Sequence, residues 1–404
     1  MKSHLDGDVI DLILQHDASD DASLRKEIAA RVAAVVASKG RGDRRLVRMA
    51  ERVVQRDPAA AFAIESNGAA TLTAGDNTWH AGRFEVVSIG DLRARAFRDR
   101  QTRTSPRLRL WVFDGACPAT DIGALQATCG QNTLFQVASQ FNCLESPGAF
   151  VTSVADYFGD STQGQRASVS AFPATLLRHY MAPGEDGTRF VQQTDGPQID
   201  LLRAACGKRV SRNGYFTGED VDDVPSVLTA LKERFDDICV GVHDDVEVVL
   251  GHDWDGEVAG SAPRIAQVFT STVAGGSYEA PLHLGRDGFD AACRQLLRAS
   301  YLGTLLAAAT LGKQRVVLTL IGGGVFGNFI EAIWEAIQWS LEEVKPLLSR
   351  DLDVIVNGRG LCGRIQAAAK DAARMLLSTI GEFGGALVTF DGAGLDQFHR
   401  QDVV

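Results

Sequence analysis

The segment best suited to chemistry in this sequence is a glycine-rich stretch between an apolar run and an amphipathic one. The run RVVLTLI is followed by GGGVFG at residues 322–327, and a helical pattern begins at about Phe329. Because glycine has no Cβ, such a loop lets the backbone approach an anion closely, and the amides at the incoming helix N-terminus favour negative charge. The pattern therefore predicts a loop that holds a phosphate or diphosphate group.

The same glycines also fit the GxGxxG pattern of nicotinamide and flavin sites, where an acidic residue is expected at the end of the next strand. Here the next strand-like segment, LDVIVNG, ends at Asn357, and the loop lies three quarters of the way along the chain. A nicotinamide-dependent oxidoreductase is therefore the less favoured alternative. A Walker loop is excluded because no GK[ST] follows the glycines. A tight turn without any ligand is a further alternative that the pattern leaves open.

Several other segments, taken in their order along the chain, resemble macrodomains, the α/β modules that bind and often hydrolyse ADP-ribose. These segments are QVASQFNCLESPG, GDSTQGQRAS with its helix to RHY, QIDLL, NGY, ICVGVHDDVEV, RIAQVFTSTVAGGSY and LTLIGGGVFGN. The order is similar to that of one divergent branch, which includes bacterial effectors that remove ADP-ribose from ubiquitin. The resemblance covers roughly residues 110–360. It implies a hydrolase whose partner is ADP-ribose or an ADP-ribosylated protein, with ubiquitin as the candidate.

The resemblance assigns roles to individual residues. Asn142, at a strand end, matches the asparagine that meets the distal ribose, and Glu145 lies three residues further on. Asp160 matches the catalytic aspartate of a DxTQG signature, and Asp245 matches another acidic position of the site. The residues implied to contact the ligand are Asn142, Thr162, Gln163, Gly164, Gly322, Gly323, Gly324, Val325, Phe326, Gly327 and Asn328.

The chain departs from this branch at three places. Gln165 stands where proline often follows TQG, residues 149–152 contain no acid, and Phe329 stands where an acid often follows GGGxFGN. These departures keep open a second function, a module that binds ADP-ribose without cleaving it.

Release of ADP-ribose breaks a bond at the anomeric carbon of the distal ribose, as in glycoside hydrolysis, where two carboxyl groups usually cooperate. We expect Asp160 to be the principal carboxylate and Asp245 or Glu145 to be the second. The glycine loop would hold the diphosphate and so fix the ribose in place. The sequence requires no metal and no cofactor for this chemistry.

Each of these polar residues also has a purely structural interpretation. Asn142 is a common turn former, and Asp160 is suited to form a turn or to cap the helix that follows it. Glu145 is interpreted as an exposed loop carboxylate beside Pro147, and Asp245 as the start of a strand.

The elements that must position these residues divide into two regions. Residues 1–80 read as a helical N-terminal region, with Leu24, Ile28 and Val32 spaced four apart and a second helix that Asp43 caps. Residues 81–404 alternate short apolar strands with helices. The predicted strands include DDICVGV, VEVVLG, RVVLTLI, LDVIVNG and ALVTF, and one predicted helix lies around residues 362 to 380. The predicted fold is α/β, a macrodomain-like three-layer αβα mixed sheet with a small helical N-terminal region.

Composition limits the classes of partner. The formal net charge is -10, which disfavours binding to nucleic acid. The start, MKSHLDGDVIDLILQH, has acids inside its short apolar run, and no stretch is apolar enough for a membrane span. Seven widely spaced cysteines indicate reduced thiols. We therefore expect a cytoplasmic protein, or one secreted into a host cell without a cleaved signal peptide.

Overall fold

The computed structural model describes residues 8–16, 20–37, 43–100, 105–160, 162–184, 186–251, 262–368 and 372–401. Its strands are β1 (Phe62–Ile64), β2 (Ala70–Ala74), β3 (Asn77–Ser88), β4 (Leu108–Gly115), β5 (Thr133–Ala138), β6 (Ala182–Pro183), β7 (Arg189–Phe190), β8 (Cys239–Glu247), β9 (Arg264–Thr270), β10 (Arg315–Leu318), β11 (Leu352–Asn357), β12 (Gly385–Asp391) and β13 (Gly394–Gln401). Its helices are α1 (Val9–Gln15), α2 (Asp21–Ala37), α3 (Arg44–Arg56), α4 (Pro58–Ala61), α5 (Ile89–Asp99), α6 (Ile122–Thr128), α7 (Gln163–Ser170), α8 (Phe172–Tyr180), α9 (Arg203–Cys206), α10 (Val224–Glu233), α11 (Ala280–Leu284), α12 (Arg286–Thr310), α13 (Ile330–Val344), α14 (Leu361–Ala368) and α15 (Ala372–Phe383).

One mixed sheet dominates the fold, with the strand order β1-β2-β3-β8-β9-β5-β10-β11-β4-β12-β13. The six strands from β9 to β12 in that order run parallel to one another. These strands are almost continuously apolar because helices cover both faces of the sheet. The α/β mixed-sheet class predicted from the sequence is confirmed.

The carboxyl ends of β9, β5 and β10 meet at one edge of the sheet, since these strands are parallel neighbours. The chain leaves them through the loops that begin at Ser271, Ser139 and Thr319. In open α/β sheets, ligands bind in the crevice outside such strand ends. This edge is therefore where the topology allows a site to form.

Strand β8 runs in the opposite direction and ends at the other edge of the sheet. It pairs antiparallel with β9, so that Glu247 lies opposite Arg264 at the start of that strand. The pairing is interrupted by a bulge between His243 and Val246, and Asp245 within the bulge has a φ of 62°. The sequence had suggested two separate strands here, DDICVGV and VEVVLG, where the structure has one bulged strand.

The described part of the N-terminal region contains the helices α1 to α4, the last of which ends at Ala61. Leu24, Ile28 and Val32 are the buried residues of α2. Helix α3 is capped by Asp43, whose Oδ1 accepts from the Leu46 amide at 2.9 Å. Strands β1, β2 and the first part of β3 then precede residue 81, so the boundary predicted at residues 80 and 81 falls inside β3.

The last part of the chain follows the predicted alternation with two differences. The helix expected around 362 to 380 is two helices, α14 and α15, and residues 369–371 lie outside the described part. Strand β13, which pairs antiparallel with β12, was not predicted, because its LDQFHRQ stretch is polar. None of the described helices combines the length and apolar character that a membrane crossing needs.

Replacing Asp43 with alanine should destabilise the protein by about 1 kcal/mol, because it removes the side-chain acceptor at the N-terminus of α3. Urea unfolding would measure the change. Asp222→Ala removes an exposed carboxylate outside any helix and serves as the control. Equal stability of the two variants would contradict a capping role for Asp43.

Candidate functional site

A cavity of about 370 Å³ lies at the carboxyl edge of the parallel strands. Its walls are the loops after β5, β9 and β10, Asp160 with residues 162–165, and the side chains of Tyr215 and Tyr278. The volume lies in the range of small-molecule sites. The glycine loop and two of the three predicted carboxyl groups meet in this one cavity.

The glycine loop is a tight strand-to-helix connection whose conformation requires glycine at two positions. Gly322 and Gly327 have φ values of 70° and 62°. A Cβ on Gly322 would lie 2.5 Å from Thr272 Cγ2, so a larger residue is excluded there. The Asn328 amide closes the loop by donating to the Gly322 carbonyl at 3.0 Å. Gly323 accepts a hydrogen bond from Arg364 on its carbonyl.

Four amides of this loop are free to bind a ligand. Within the described part of the chain, the N–H groups of Gly322, Gly324, Val325 and Phe326 donate no hydrogen bond. The same four residues line the cavity, and helix α13 begins three residues after Gly327. Unpaired amides in a loop just before a 15-residue helix favour an anion. The loop therefore suits an anionic group.

Asn328 and the two glycines Gly323 and Gly327 do not line the cavity, in contrast to the sequence-based assignment. The Asn328 Nδ2 donates to the Val273 carbonyl at 2.9 Å. Its Oδ1 accepts from Thr272 Oγ1 at 2.9 Å. Because both ends of the amide are occupied, Asn328 fastens the glycine loop to the loop after β9, and its side chain has no free group for a ligand.

Glu145 is a buried carboxyl group at the cavity wall, not the exposed loop carboxylate that the sequence allowed. Only 8% of the residue is exposed, and within the described chain its Oε1 has no hydrogen-bond partner. Burial, and then the nearby charge of Asp160, raise the pKa of this carboxyl well above its ordinary value, while Arg178 acts in the opposite direction. A carboxyl in this position retains its proton to a higher pH and is suited to donate it.

The backbone of Glu145 is held on both sides by buried side chains. Its amide donates to the Tyr157 hydroxyl oxygen at 2.8 Å, and its carbonyl accepts from Gln165 Nε2 at 2.8 Å. The Tyr157 hydroxyl in turn lies 2.8 Å from His179 Nε2. Burial, followed by the Arg178 charge, lowers the pKa of His179 to about 3, so Nε2 of the neutral ring accepts the tyrosine proton.

Arg178 places a buried positive charge behind this carboxyl. Only 1% of the residue is exposed, and its guanidinium carbon lies 3.6 Å from the centre of the Phe269 ring. Nε donates to the Cys143 carbonyl at 3.2 Å, and Nη1 lies 3.0 Å from His243 Nδ1. Burial lowers the pKa of Arg178 to about 10. Among the described residues it forms no ion pair, so its charge is available to act on Glu145.

The DSTQG segment supplies the second carboxyl group. Asp160, Thr162, Gln163 and Gly164 all line the cavity, as the resemblance implied. Asp160 Oδ1 accepts from the Thr162 amide at 2.8 Å, which also confirms the turn-forming role that the sequence left open. A Cβ on Gly164 would lie 2.7 Å from the Glu145 carboxyl group, so glycine brings the two segments together.

Two further predicted site residues lie outside the cavity. Asn142 does not line the cavity: its Oδ1 accepts from the Leu144 amide at 3.0 Å and its Nδ2 donates to the Asn213 carbonyl at 3.2 Å, as expected for a turn former. Asp245 lies in the β8 bulge at the opposite edge of the sheet, where it is ion-paired with Arg264. The expectation that Asp245 is near Asp160 is therefore wrong, because the antiparallel direction of β8 carries it away.

An aromatic cluster forms one wall of the cavity. The ring of Tyr215 lies 4.9 Å from that of Tyr278 and 5.7 Å from that of Phe326, measured between centroids. The Tyr215 hydroxyl donates to the Ser146 carbonyl at 2.8 Å. Sequence analysis did not assign Tyr215 to the site, although it lies in the NGY motif. Such a wall offers apolar surface to a sugar or base.

Comparison with known proteins finds only distant structural similarities. No protein-family model matches this chain, and no curated protein matches it. Poly(ADP-ribose) glycohydrolase from Deinococcus radiodurans, in complex with ADP-ribose, is 12% identical, with a TM-score of 0.38 over 71% of this chain and 94% of its own. The enzyme of the same name from Thermomonospora curvata is 13% identical, with a TM-score of 0.39 over 82% of this chain and 93% of its own. With TM-scores below 0.5, these similarities support neither a ligand nor a reaction for this chain.

Replacing Glu145 with glutamine should stabilise the protein by about 1–3 kcal/mol at neutral pH, because a buried carboxyl without a partner is costly to ionise. The pKa of Glu145 is higher in the folded than in the unfolded state, so wild-type stability falls as pH rises from the unfolded value through the folded one. The variant should not lose stability over this pH range, and the unfolding free energies of the two proteins should become equal below about pH 4.

Denaturant titrations at several pH values would measure this difference, with the exposed Glu233→Gln as the control. The difference in unfolding free energy between wild type and Glu145→Gln could be absent at neutral pH or equal at every pH. Either result would show that the Glu145 carboxyl has a partner or an ordinary pKa.

Proposed function

We propose that this chain is an ADP-ribosyl hydrolase that removes ADP-ribose from a modified protein. The observation that supports it is the composition of one cavity. One wall presents the free amides of the glycine loop, and the facing segments present Glu145 and Asp160. A dinucleotide-like diphosphate and a reactive sugar bond require these two kinds of group within reach of one another.

In the proposed reaction the diphosphate binds the amides of Gly322, Gly324, Val325 and Phe326, which fixes the distal ribose between the loops. Glu145, whose pKa is raised, gives its proton to the leaving side-chain atom as the bond to the anomeric carbon breaks. Water adds to that carbon and Asp160 accepts its proton, so that atoms and charge balance. Arg178 then helps to stabilise the Glu145 carboxylate that has formed.

The identity of the modified protein is a finer part of the proposal. Ubiquitin is the candidate because of the resemblance of the GDSTQGQRAS and GGGVFGN segments to effector-type hydrolases. A hydrolase that acts on ubiquitin would act in the cytoplasm, including that of a host cell.

A second candidate function is a module that binds ADP-ribose and does not cleave it. The observation that favours it is that Asp160 Oδ1 is already engaged by the Thr162 amide, leaving one oxygen for chemistry. Gln165 and Phe329, which replace residues typical of the catalytic branch, point the same way.

ADP-ribose should bind to wild type and to Asp160→Ala with similar affinity, because the diphosphate contacts are backbone amides. NAD is the comparator, because a nicotinamide-dependent oxidoreductase should bind it at least as well as ADP-ribose. Titration calorimetry would measure all three. A protein that does not bind ADP-ribose would overturn the proposal, and tighter binding of NAD would favour an oxidoreductase.

Glu145→Gln and Asp160→Asn should each lower the rate of ADP-ribose release from ADP-ribosylated ubiquitin by about 100-fold or more. Asp245→Asn should keep the wild-type rate, because its carboxylate lies at the opposite edge of the sheet. The wild-type rate should fall as pH rises through the raised pKa of Glu145, since only the protonated group can donate. Binding without release by wild type would establish the second candidate instead.

A further inference from the structure

Helix α3 of the N-terminal region contacts the segment that leads into Asp160. Glu51 lies on the inner face of this helix and is only 3% exposed. Its Oε1 accepts from the Val154 amide at 2.7 Å and its Oε2 from the Ala155 amide at 2.9 Å. These amides begin the 3-10 turn Val154–Gly159, and a side chain more than one hundred residues earlier in the chain therefore caps that turn.

A second residue of α3 holds the same turn from outside. Arg44 Nε donates to the Ala155 carbonyl at 2.9 Å, and Nη2 donates to Asp156 Oδ1 at 2.7 Å. Asp160 follows the turn directly, and its amide donates to the Tyr157 carbonyl at 3.2 Å. The position of Asp160 therefore depends on a turn that α3 clamps.

The same contacts reach the other carboxyl group of the cavity. Tyr157, in the middle of the turn, accepts from the Glu145 amide. Glu51 Oε1 also accepts from the Tyr180 hydroxyl at 2.9 Å, and Tyr180 follows His179, the partner of Tyr157. Both segments that lead to Glu145 and Asp160 are thus connected to one buried carboxylate on α3.

This connection is stiff for a physical reason. A buried carboxylate is stable only where its lone pairs are satisfied, and Glu51 has three donors. Buried amides likewise need their acceptor, so losing either side leaves a costly unpaired group. No residue of α3 lines the cavity, and the hydrogen bonds of Glu51 and Arg44 go to the segments that carry the carboxyl groups.

We propose that α3 is a positioning element of the site, and that Glu51 is a positioning residue that sets Asp160 and Glu145 for the reaction. This inference rests on the proposed hydrolase function. It assigns to the N-terminal region a part in catalysis that does not require it to touch the substrate.

The test is Glu51→Gln in the full chain, which keeps the shape of the side chain but directs an NH₂ group toward one of the amide donors. Glu27→Gln, on the exposed face of α2, is the matched control. We expect kcat for release from ADP-ribosylated ubiquitin to fall by about tenfold to 100-fold, with KM and the affinity for ADP-ribose unchanged. Hydrogen exchange of residues 154–160 should accelerate in Glu51→Gln and not in Glu27→Gln.

Unchanged kcat together with faster exchange would overturn the positioning role, and unchanged exchange would overturn the clamp itself. If Glu51→Gln does not fold, Arg44→Ala tests the positioning role of α3 by the same two measurements, kcat and hydrogen exchange at residues 154–160. The Arg44 side chain is partly exposed, and its loss frees only one side of the turn. A wild-type protein that binds ADP-ribose but does not cleave it from ADP-ribosylated ubiquitin would refute the proposed function. Exchange at residues 154–160 would still report whether Glu51 orders the turn.

Discussion

The site depends on one electrostatic constraint, the burial of the Glu145 carboxyl group, whose Oε1 has no hydrogen-bond partner among the residues that the structure describes. An ionised carboxyl in that position would cost several kcal/mol, so the group keeps its proton to a higher pH than a free glutamate. The surrounding residues maintain this situation. Gly164 packs against the carboxyl group, Tyr157 and Gln165 hold its backbone, and Arg178 contributes a buried positive charge that acts on it.

In the proposed reaction, one wall of the cavity binds the ligand and the other breaks the bond. The backbone amides of the glycine loop line the first wall, and Asn328 keeps the loop in place by joining it to Thr272 and Val273. The carboxyl groups stand on different segments, after β5 and before α7. Because the two walls are supported by separate contacts, either property can change while the other is kept, which is the physical difference between a hydrolase and a binding module on this fold.

The N-terminal helices form one hydrophobic core with the sheet and are not merely attached to it. Helix α3 buries Val47, Ala50 and Val54 and also directs Glu51 toward the turn before Asp160. A polar contact of this kind stabilises one arrangement of the turn, since amides pair with an oxygen at a fixed distance whereas apolar contacts tolerate sliding. The position of Asp160 therefore depends on helix α3, which lies outside the segment that contains Asp160.

The sequence by itself determined the α/β class, the glycine loop, the DSTQG segment and the caps of α3, because each depends on local spacing or on residues with special backbone behaviour. It left Glu145 undecided between an exposed loop residue and a catalytic acid, and it misplaced Asn142 and Asp245. Burial and strand direction decided these cases: β8 runs antiparallel and carries Asp245 to the far edge, while Gly164 and Tyr157 enclose Glu145. Desolvation, and contacts between residues over one hundred positions apart such as Glu51 and Val154, arise only when the chain is folded, and local pattern contains no information about them.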